Sequence, residues 1–322
     1  MLGDNMALTY FSVINVVLTF ILLLIGGLVN PMGASLACPD WNFVPTCHGK
    51  VFLPMVGGVL YEHGHRLWAS VVGLAVVLLA AAIWQSKLVS KKAKILSFIT
   101  VLMVVLQGTL GGVTVLLKLS AIISTLHLAI AMMFFCVQIM LAFELARKNS
   151  VSMKGQSEGT SERKSVKNAM HAAMGLTFAQ IVLGGITRHV GAGMACGEDW
   201  MLCANSLWPS WGLGQLHMLH RLVGYATAAI VLWASIRSFV FAQKTGQKTV
   251  QALSVLPQIF VVLQVFLGIL TVATLKGLAA VTLHTAVASL LLGSLVLLYL
   301  MLKAEEAVSP NMALSTSTPT GQ

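Results

Sequence analysis

Eight apolar stretches, each about as long as a hydrocarbon core requires, divide this 322-residue chain almost from end to end. A sliding window of about 19 residues places them near 10–29, 63–84, 95–116, 121–145, 168–188, 217–239, 249–272 and 278–301. Inside lipid no water satisfies backbone N–H and C=O groups, so each run must close its own hydrogen bonds as an α-helix. Composition agrees. Charged residues make up 9% of the chain and hydrophobic residues 57%, against roughly 25% charged in an ordinary soluble domain. The expected fold class is therefore an all-α integral membrane protein with eight transmembrane helices.

The net charge of +10 does not indicate nucleic acid, because Lys and Arg cluster in short loops and form no basic face. Lys87, Lys91, Lys92 and Lys94 follow the second span. Arg147, Lys148, Lys154, Arg163, Lys164 and Lys167 follow the fourth, and Arg237, Lys244 and Lys248 the sixth. By the positive-inside bias these loops are expected to be cytoplasmic, together with both termini, which puts 30–62 and 189–216 on the opposite side. Met1 to Tyr10 contains Asp4 but no Lys or Arg, so the first span is expected to stay as a helix and not to act as a cleaved signal. No Arg-rich transit segment precedes it, which points to a bacterial plasma membrane.

The chain repeats itself. Gln107, Leu110, Gly111, Thr114, Val115, Thr125, Leu126, His127, Ala129 and Ala131 recur at one constant offset as Gln264, Leu267, Gly268, Thr271, Val272, Thr282, Leu283, His284, Ala286 and Ala288. Upstream, His65-Arg66-Leu67 recurs as His220-Arg221-Leu222. Each half contains four spans, an even number, so both halves insert in the same direction and are related by a pseudo-twofold axis along the membrane normal. The expected architecture is two four-helix bundles: 1–148 and 168–303, with a cytoplasmic linker at 149–167 and a disordered tail at 304–322.

This duplication places four histidines in register, His65 with His127 and His220 with His284, all toward the non-cytoplasmic end of their spans. Imidazole is costly in a membrane unless it serves a purpose. Two facing pairs suit axial ligation of two iron porphyrins, one per bundle; the bland alternative is a set of interfacial histidines bonded to carbonyls. Glu62 lies three positions before His65 and four before Arg66, so it either approaches a bound ligand or forms a helical ion pair. In the second half His217 occupies its place, so the duplication has diverged beside the proposed porphyrin. Arg66 and Arg221 are candidates for haem propionates, with snorkelling to the interface as the alternative. His48, His63, His171 and His189 fall outside the paired pattern.

The cysteine pairs Cys38 with Cys47 and Cys196 with Cys203 lie in the two outer loops, where an oxidising face favours a disulfide within each. A zinc site built from all four is the alternative, although neither spacing matches a common finger. Cys136, in mid-span, reads as a small packed hydrophobe.

The loop Ala37-Cys38-Pro39-Asp40-Trp41, the Glu62, His65, Arg66 arrangement, the run from Gln107 to His127, the loop from Arg188 to Cys203, His217-His220-Arg221 and His284 together resemble the haem A synthase family of bacteria and mitochondria, over about 20–301. Asn30-Pro31 stands where the family commonly has Arg, and the Trp41–Cys47 segment contains additional residues. The resemblance implies an oxidoreductase that converts the C8 methyl of haem O into the formyl of haem A for terminal oxidases. It implies Glu62 as the catalytic carboxylate, His65 and His127 as ligands of the substrate haem, His220 and His284 as ligands of a resident haem B, and a redox role for the first cysteine pair. Expected partners are haem O, haem O synthase, an electron acceptor, membrane lipid and a second copy of the chain. A dihaem cytochrome relaying electrons to or from a quinone uses the same histidines but gives no reason for Glu62 to occur in one half alone; a haem transporter should need ligands at both faces.

Overall fold

The computed structural model describes residues 2–42, 44–147 and 160–308. They form nine α-helices: α1 (Leu2–Val29), α2 (Gly57–Gln85), α3 (Lys91–Leu116), α4 (Ala121–Arg147), α5 (Thr160–His189), α6 (Gly212–Lys244), α7 (Lys248–Leu253), α8 (Val255–Ala273) and α9 (Leu278–Val308). Eight segments are long and apolar enough to cross a membrane, with α7 and α8 together forming the seventh. The break falls at Ser254, three residues before Pro257. Proline has no N–H to give to the preceding turn, and is accommodated by starting a new helix there.

Several helices exceed their apolar runs, because the helical ladder continues once the chain leaves hydrocarbon. The clearest case is α5, which begins at Thr160, so the basic residues Arg163, Lys164 and Lys167 that charge alone assigns to a linker are helical. Arg163 is buried there, donating to the Leu302 carbonyl at 3.1 Å and stacking over Phe241, while Lys244 reaches Glu162 at 3.2 Å. At the same end of the first half, the buried Glu144 carboxylate accepts from Ser90 Oγ at 2.9 Å and Lys92 Nζ at 3.1 Å, tying the start of α3 to the end of α4. Helix α9 likewise extends through 304–308, the beginning of the expected tail. Lys148, the remainder of the linker at 149–159, and the tail from 309 lie outside the described residues.

Helix contacts follow the halves. Helices α1, α2, α3 and α4 pack in sequence and α4 returns to α1; α5, α6, α8 and α9 do the same, and the two sets meet where α4 touches α5 and α9 and where α1 touches α9. The repeat is also kept in strained backbone. The α3–α4 turn holds Lys118 and Leu119 at φ 49° and 65°, and the α8–α9 turn holds Leu275 and Lys276 at 51° and 65°. Left-handed conformations are costly for residues with a Cβ, so their recurrence at matching positions shows that both halves need the same abrupt reversal.

Glycines allow the seam to close. A Cβ on Gly293 of α9 would lie 2.9 Å from Ile139 Cδ1 and 3.1 Å from Phe135 Cε1 of α4; one on Gly185 of α5 would lie 2.9 Å from Leu128 Cδ2. Replacing Gly293 by Val should therefore overpack the seam and cost about 1–3 kcal/mol. The check is the thermal unfolding midpoint of detergent-solubilised protein; an unchanged midpoint would mean that α4 and α9 separate without cost.

Candidate functional site

His220 on α6 and His284 on α9 line one cavity of about 550 Å³, with Gln180 and Gly184 of α5 and Gln264 and Gly268 of α8 also in its walls. Asn30, Pro31, Leu128 and Met132 of the first half complete it. The other pair, His65 on α2 and His127 on α4, is not part of this cavity and sits at corresponding places in the first half. All four imidazoles rest on glycine. From the position of a Cβ on Gly26, His65 Cε1 is 2.8 Å away; from Gly111 to His127 the distance is 3.4 Å, from Gly184 to His220 2.9 Å, and from Gly268 to His284 3.1 Å. Each ring thus lies against the neighbouring helix, and His65, His220 and His284 lie closer than a side chain on the facing residue would ordinarily allow. The sequence carries this signal as Gly26-Gly27 and Gly184-Gly185 in the two halves, together with Gly111 and Gly268, yet a glycine in a sequence does not say which side chain approaches it.

The walls of the cavity are mostly apolar but carry several polar atoms with no partner. Thr177 Oγ1, Thr227 Oγ1, Gln180 Oε1, Gln264 Oε1 and the Nε and Nη2 of Arg221 are buried without a hydrogen-bond partner. Buried polar atoms are ordinarily paired, so this set, together with two imidazoles and the volume, suits an iron porphyrin with charged side arms. The residues fit the group that the sequence suggests.

Above the first pair, Glu62 is 5% exposed and fully engaged. Its Oε1 accepts from Arg66 Nη2 at 2.8 Å and its Oε2 from the Cys38 N–H at 2.8 Å. Arg66 also donates to three loop carbonyls, Asp40 and Cys38 at 2.6 Å and Thr46 at 2.8 Å. The helical ion pair is therefore present, and its guanidinium also binds the loop through Nη1 and Nη2. In the second half His217 replaces Glu62, and Arg221, which lines the cavity, donates through Nη1 to Asp199 O at 2.7 Å while its Nε and Nη2 are buried and unpaired. Of the two arginines, Arg221 has the spare donors. The carboxylate present in one half and absent from the other accounts for the difference.

Each outer loop closes on its own cysteines, Cys38–Cys47 and Cys196–Cys203, and Cys136 is free. A two-residue reversed turn follows each second cysteine, at His48-Gly49 and Ala204-Asn205, all with positive φ. His63, which the sequence left outside the ligand pattern, is fully buried and bonds Val51 O through Nε2 at 2.8 Å, fastening the loop to α2. Trp41 packs its ring over Gly112 of α3. At the seam Arg188 reaches Asn30 Oδ1 and Gly27 O at 3.1 Å, and Thr125 Oγ1 lies 3.0 Å from His189 Nδ1.

Asp40 organises the first loop and was legible in the sequence only as part of a motif. Its carboxylate accepts from the Thr46 hydroxyl at 2.8 Å, His48 N–H at 2.7 Å and Gly49 N–H at 3.0 Å. Burial pushes the carboxyl up, but the bonds from Gly49, Thr46 and His48 outweigh it and hold its pKa at about 2. Asp199 plays the same part in the second loop, held below its ordinary range by the Leu202 and Met201 N–H groups.

An all-α, multi-pass membrane protein built by duplication, with paired imidazoles at the same end of each half, is the class defined by this fold and site. The chain belongs to the COX15-CtaA family of cytochrome oxidase assembly proteins, whose sequence profile matches residues 55–296. It is similar to the heme A synthase of Alkalihalophilus pseudofirmus, 28% identical over 89% of this chain and 95% of that protein. The heme A synthase of Bacillus licheniformis is 28% identical over 90% and 94%, and that of Halalkalibacterium halodurans 26% identical over 94% and 99%.

A depressed carboxylate pKa contributes stability that is complete above the unfolded value of about 4 and is lost as pH falls toward 2. Reduction of Cys38–Cys47 by an acid-tolerant phosphine should therefore accelerate as pH falls from about 4 to 2. In Asp40→Asn the acceleration attributable to this carboxylate should vanish and the loop should already reduce faster at pH 6; identical profiles for the two proteins would show that Asp40 does not hold the loop.

Proposed function

We propose that this chain is a haem A synthase, oxidising the C8 methyl of haem O to a formyl group. The observation that carries the proposal is a duplicated pair of imidazoles, one pair facing a haem-sized polar-edged cavity, in a chain whose relatives along nearly its full length are heme A synthases. Net conversion of a methyl to a formyl group consumes one water and releases four electrons and four protons. The site must hold the porphyrin, take up protons at its edge and pass electrons onward.

In this reading haem O binds in the N-terminal bundle through His65 and His127, and haem B in the C-terminal bundle through His220 and His284. Haem B supplies one-electron redox chemistry. Arg221 offers Nε and Nη2 to a propionate. Glu62 takes a proton from the reacting carbon, oriented for this by Arg66 and the Cys38 N–H. Its restriction to one half gives the two sites different tasks: chemistry in the first, electron transfer in the second. The apolar spans and their flanking charges support a bacterial plasma-membrane protein with cytoplasmic termini, and with the cysteine loops and haem sites toward the other face. A farnesylated substrate made by haem O synthase partitions into the same bilayer.

The test is acid extraction and chromatography of haems from cells expressing haem O synthase with and without this chain; haem A should appear only with it. A chain that binds haem but yields none is an electron relay. Glu62→Gln should retain haem B and accumulate haem O, with haem A lowered at least 100-fold, the lower range for a general base. Undiminished haem A in that variant would remove Glu62 from the chemistry. Loss of the haem B Soret band should follow His220→Ala or His284→Ala, and an unchanged spectrum in both would move haem B elsewhere.

A further inference from the structure

The four imidazoles are alike in register and in their glycine seats, but not in what their Nδ1 atoms meet. His65 Nδ1 and His127 Nδ1 are buried with no hydrogen-bond partner. His284 Nδ1 lies 3.1 Å from the Gln264 backbone carbonyl, and its Nε2 lies 3.2 Å from the Gln264 side-chain amide, whose place iron would take. His220 Nδ1 lies 3.0 Å from the side-chain amide of Gln180. That glutamine is held at two points: its amide also reaches His220 O at 2.7 Å, and it packs against Gly224, where a Cβ would stand 2.9 Å from Gln180 Nε2. Its Oε1 is buried and unpaired. Gln180 stands four residues before Gly184-Gly185, and the corresponding place before Gly26-Gly27 is Leu22. Gln107, the counterpart of Gln264, bonds the His127 backbone carbonyl at 3.1 Å and not the ring. Both histidines of the second half thus have an Nδ1 neighbour, and neither of the first half does.

An imidazole that binds iron through Nε2 carries its proton on Nδ1. An acceptor for that proton fixes the ring, raises its basicity and strengthens the metal bond; such partners are commonly worth 10–100-fold in metal affinity. For His284 the acceptor is the Gln264 carbonyl. For His220 the candidate is Gln180: its amide N–H donates to Nδ1 and to His220 O here, and when Nε2 takes iron the amide turns so that its unpaired Oε1 accepts from Nδ1–H in exchange for the bond to His220 O. Without an acceptor, the Nδ1–H is a buried unpaired donor, which weakens ligation by the cost of that donor.

We propose that Gln180, with the Gln264 carbonyl, makes the C-terminal pair a retaining site and sets a low reduction potential there, whereas the bare Nδ1 atoms of His65 and His127 make the N-terminal pair a releasing site. This rests on the proposed assignment of haem B to the second half and haem O to the first. It deepens that assignment by supplying a physical reason why one porphyrin stays and the other passes through: a substrate site must let its product go. Gln180 is a positioning residue, acting on the iron through His220.

Full-length protein purified with haem B is the material for the test, using transfer of haem B to excess apomyoglobin and a spectroscopic redox titration. Gln180→Leu, which copies Leu22, should release haem B roughly 10–100-fold faster and raise its potential. Gln180→Glu, which keeps size and supplies a stronger acceptor, should retain haem B and lower the potential. Opposite shifts from the two variants are not the signature of a packing role. In a His220→Ala, His284→Ala background loaded with iron protoporphyrin IX, Leu22→Gln should slow transfer from the remaining site. Wild-type release and potential in both Gln180 variants, with haem B still bound, would overturn the inference and leave the proposed function standing. Purified wild-type protein without haem B would overturn the site assignment itself, and the inference with it.

Discussion

A polar ring in a membrane helix is stable only where a neighbouring helix comes close enough to exclude lipid and fix the ring, and here glycine provides that approach four times. Gly26, Gly111, Gly184 and Gly268 each face one imidazole across a helix pair. These pairs, α1 with α2, α3 with α4, α5 with α6 and α8 with α9, are also the most extensively packed in the molecule. Between membrane helices there is little hydrophobic drive, so close backbone approach through small residues supplies much of the association. The same glycines therefore close the helix pairs and orient the four histidines. A fold assembled in this way cannot alter its helix spacing without moving its histidines.

Above this shared frame the two halves part at position 62 and its counterpart, His217. In the first half a carboxylate at position 62 binds both Arg66 and the loop backbone, so helix, guanidinium and disulfide loop form one connected group. In the second, His217 makes no such bridge, and Arg221 keeps donors in reserve beside the cavity. A charged pair whose members also bond backbone carbonyls and N–H groups is held far more firmly than an exposed ion pair at the same spacing. In the proposed function this firmness matters, since a base that is to remove a proton from one ring substituent must not wander.

Much of the fold could be read from the chain, and the reason is physical: hydropathy over twenty residues is averaged along the sequence itself, and a duplication announces its own symmetry. Helix ends could not. Thr160 to Lys167 looks like a linker because it is polar, yet Arg163 finds the Leu302 carbonyl and the Phe241 ring, and helical structure persists. The division at Ser254 was hidden inside a long apolar run whose only mark is Pro257. At the site, the histidines, Glu62 and the cysteine pairs were visible as types at matched spacings. The attachments of Arg66 were not, because backbone carbonyls carry no sequence signal. Nor was Gln180, since a glutamine without a counterpart in the other half breaks the pattern by which the rest was found.

The seam between the halves shows why a duplicated chain of this kind works as one body. Asn30, Leu128 and Met132 from the first half form part of the cavity that His220 and His284 share. Arg188, at the end of α5, is held by Asn30 and by the carbonyl of Gly27, next to the glycine that seats His65. Thr125, two residues before His127, meets His189 across the same boundary. Neither half thus completes its own surroundings: the second borrows walls from the first, and the histidine-bearing turns of the first are buttressed by the second. The two frames share their glycine seats and reversed turns, yet Asn30, Leu128 and Met132 wall the cavity of the second, so the surroundings of His220 and His284 depend on both halves.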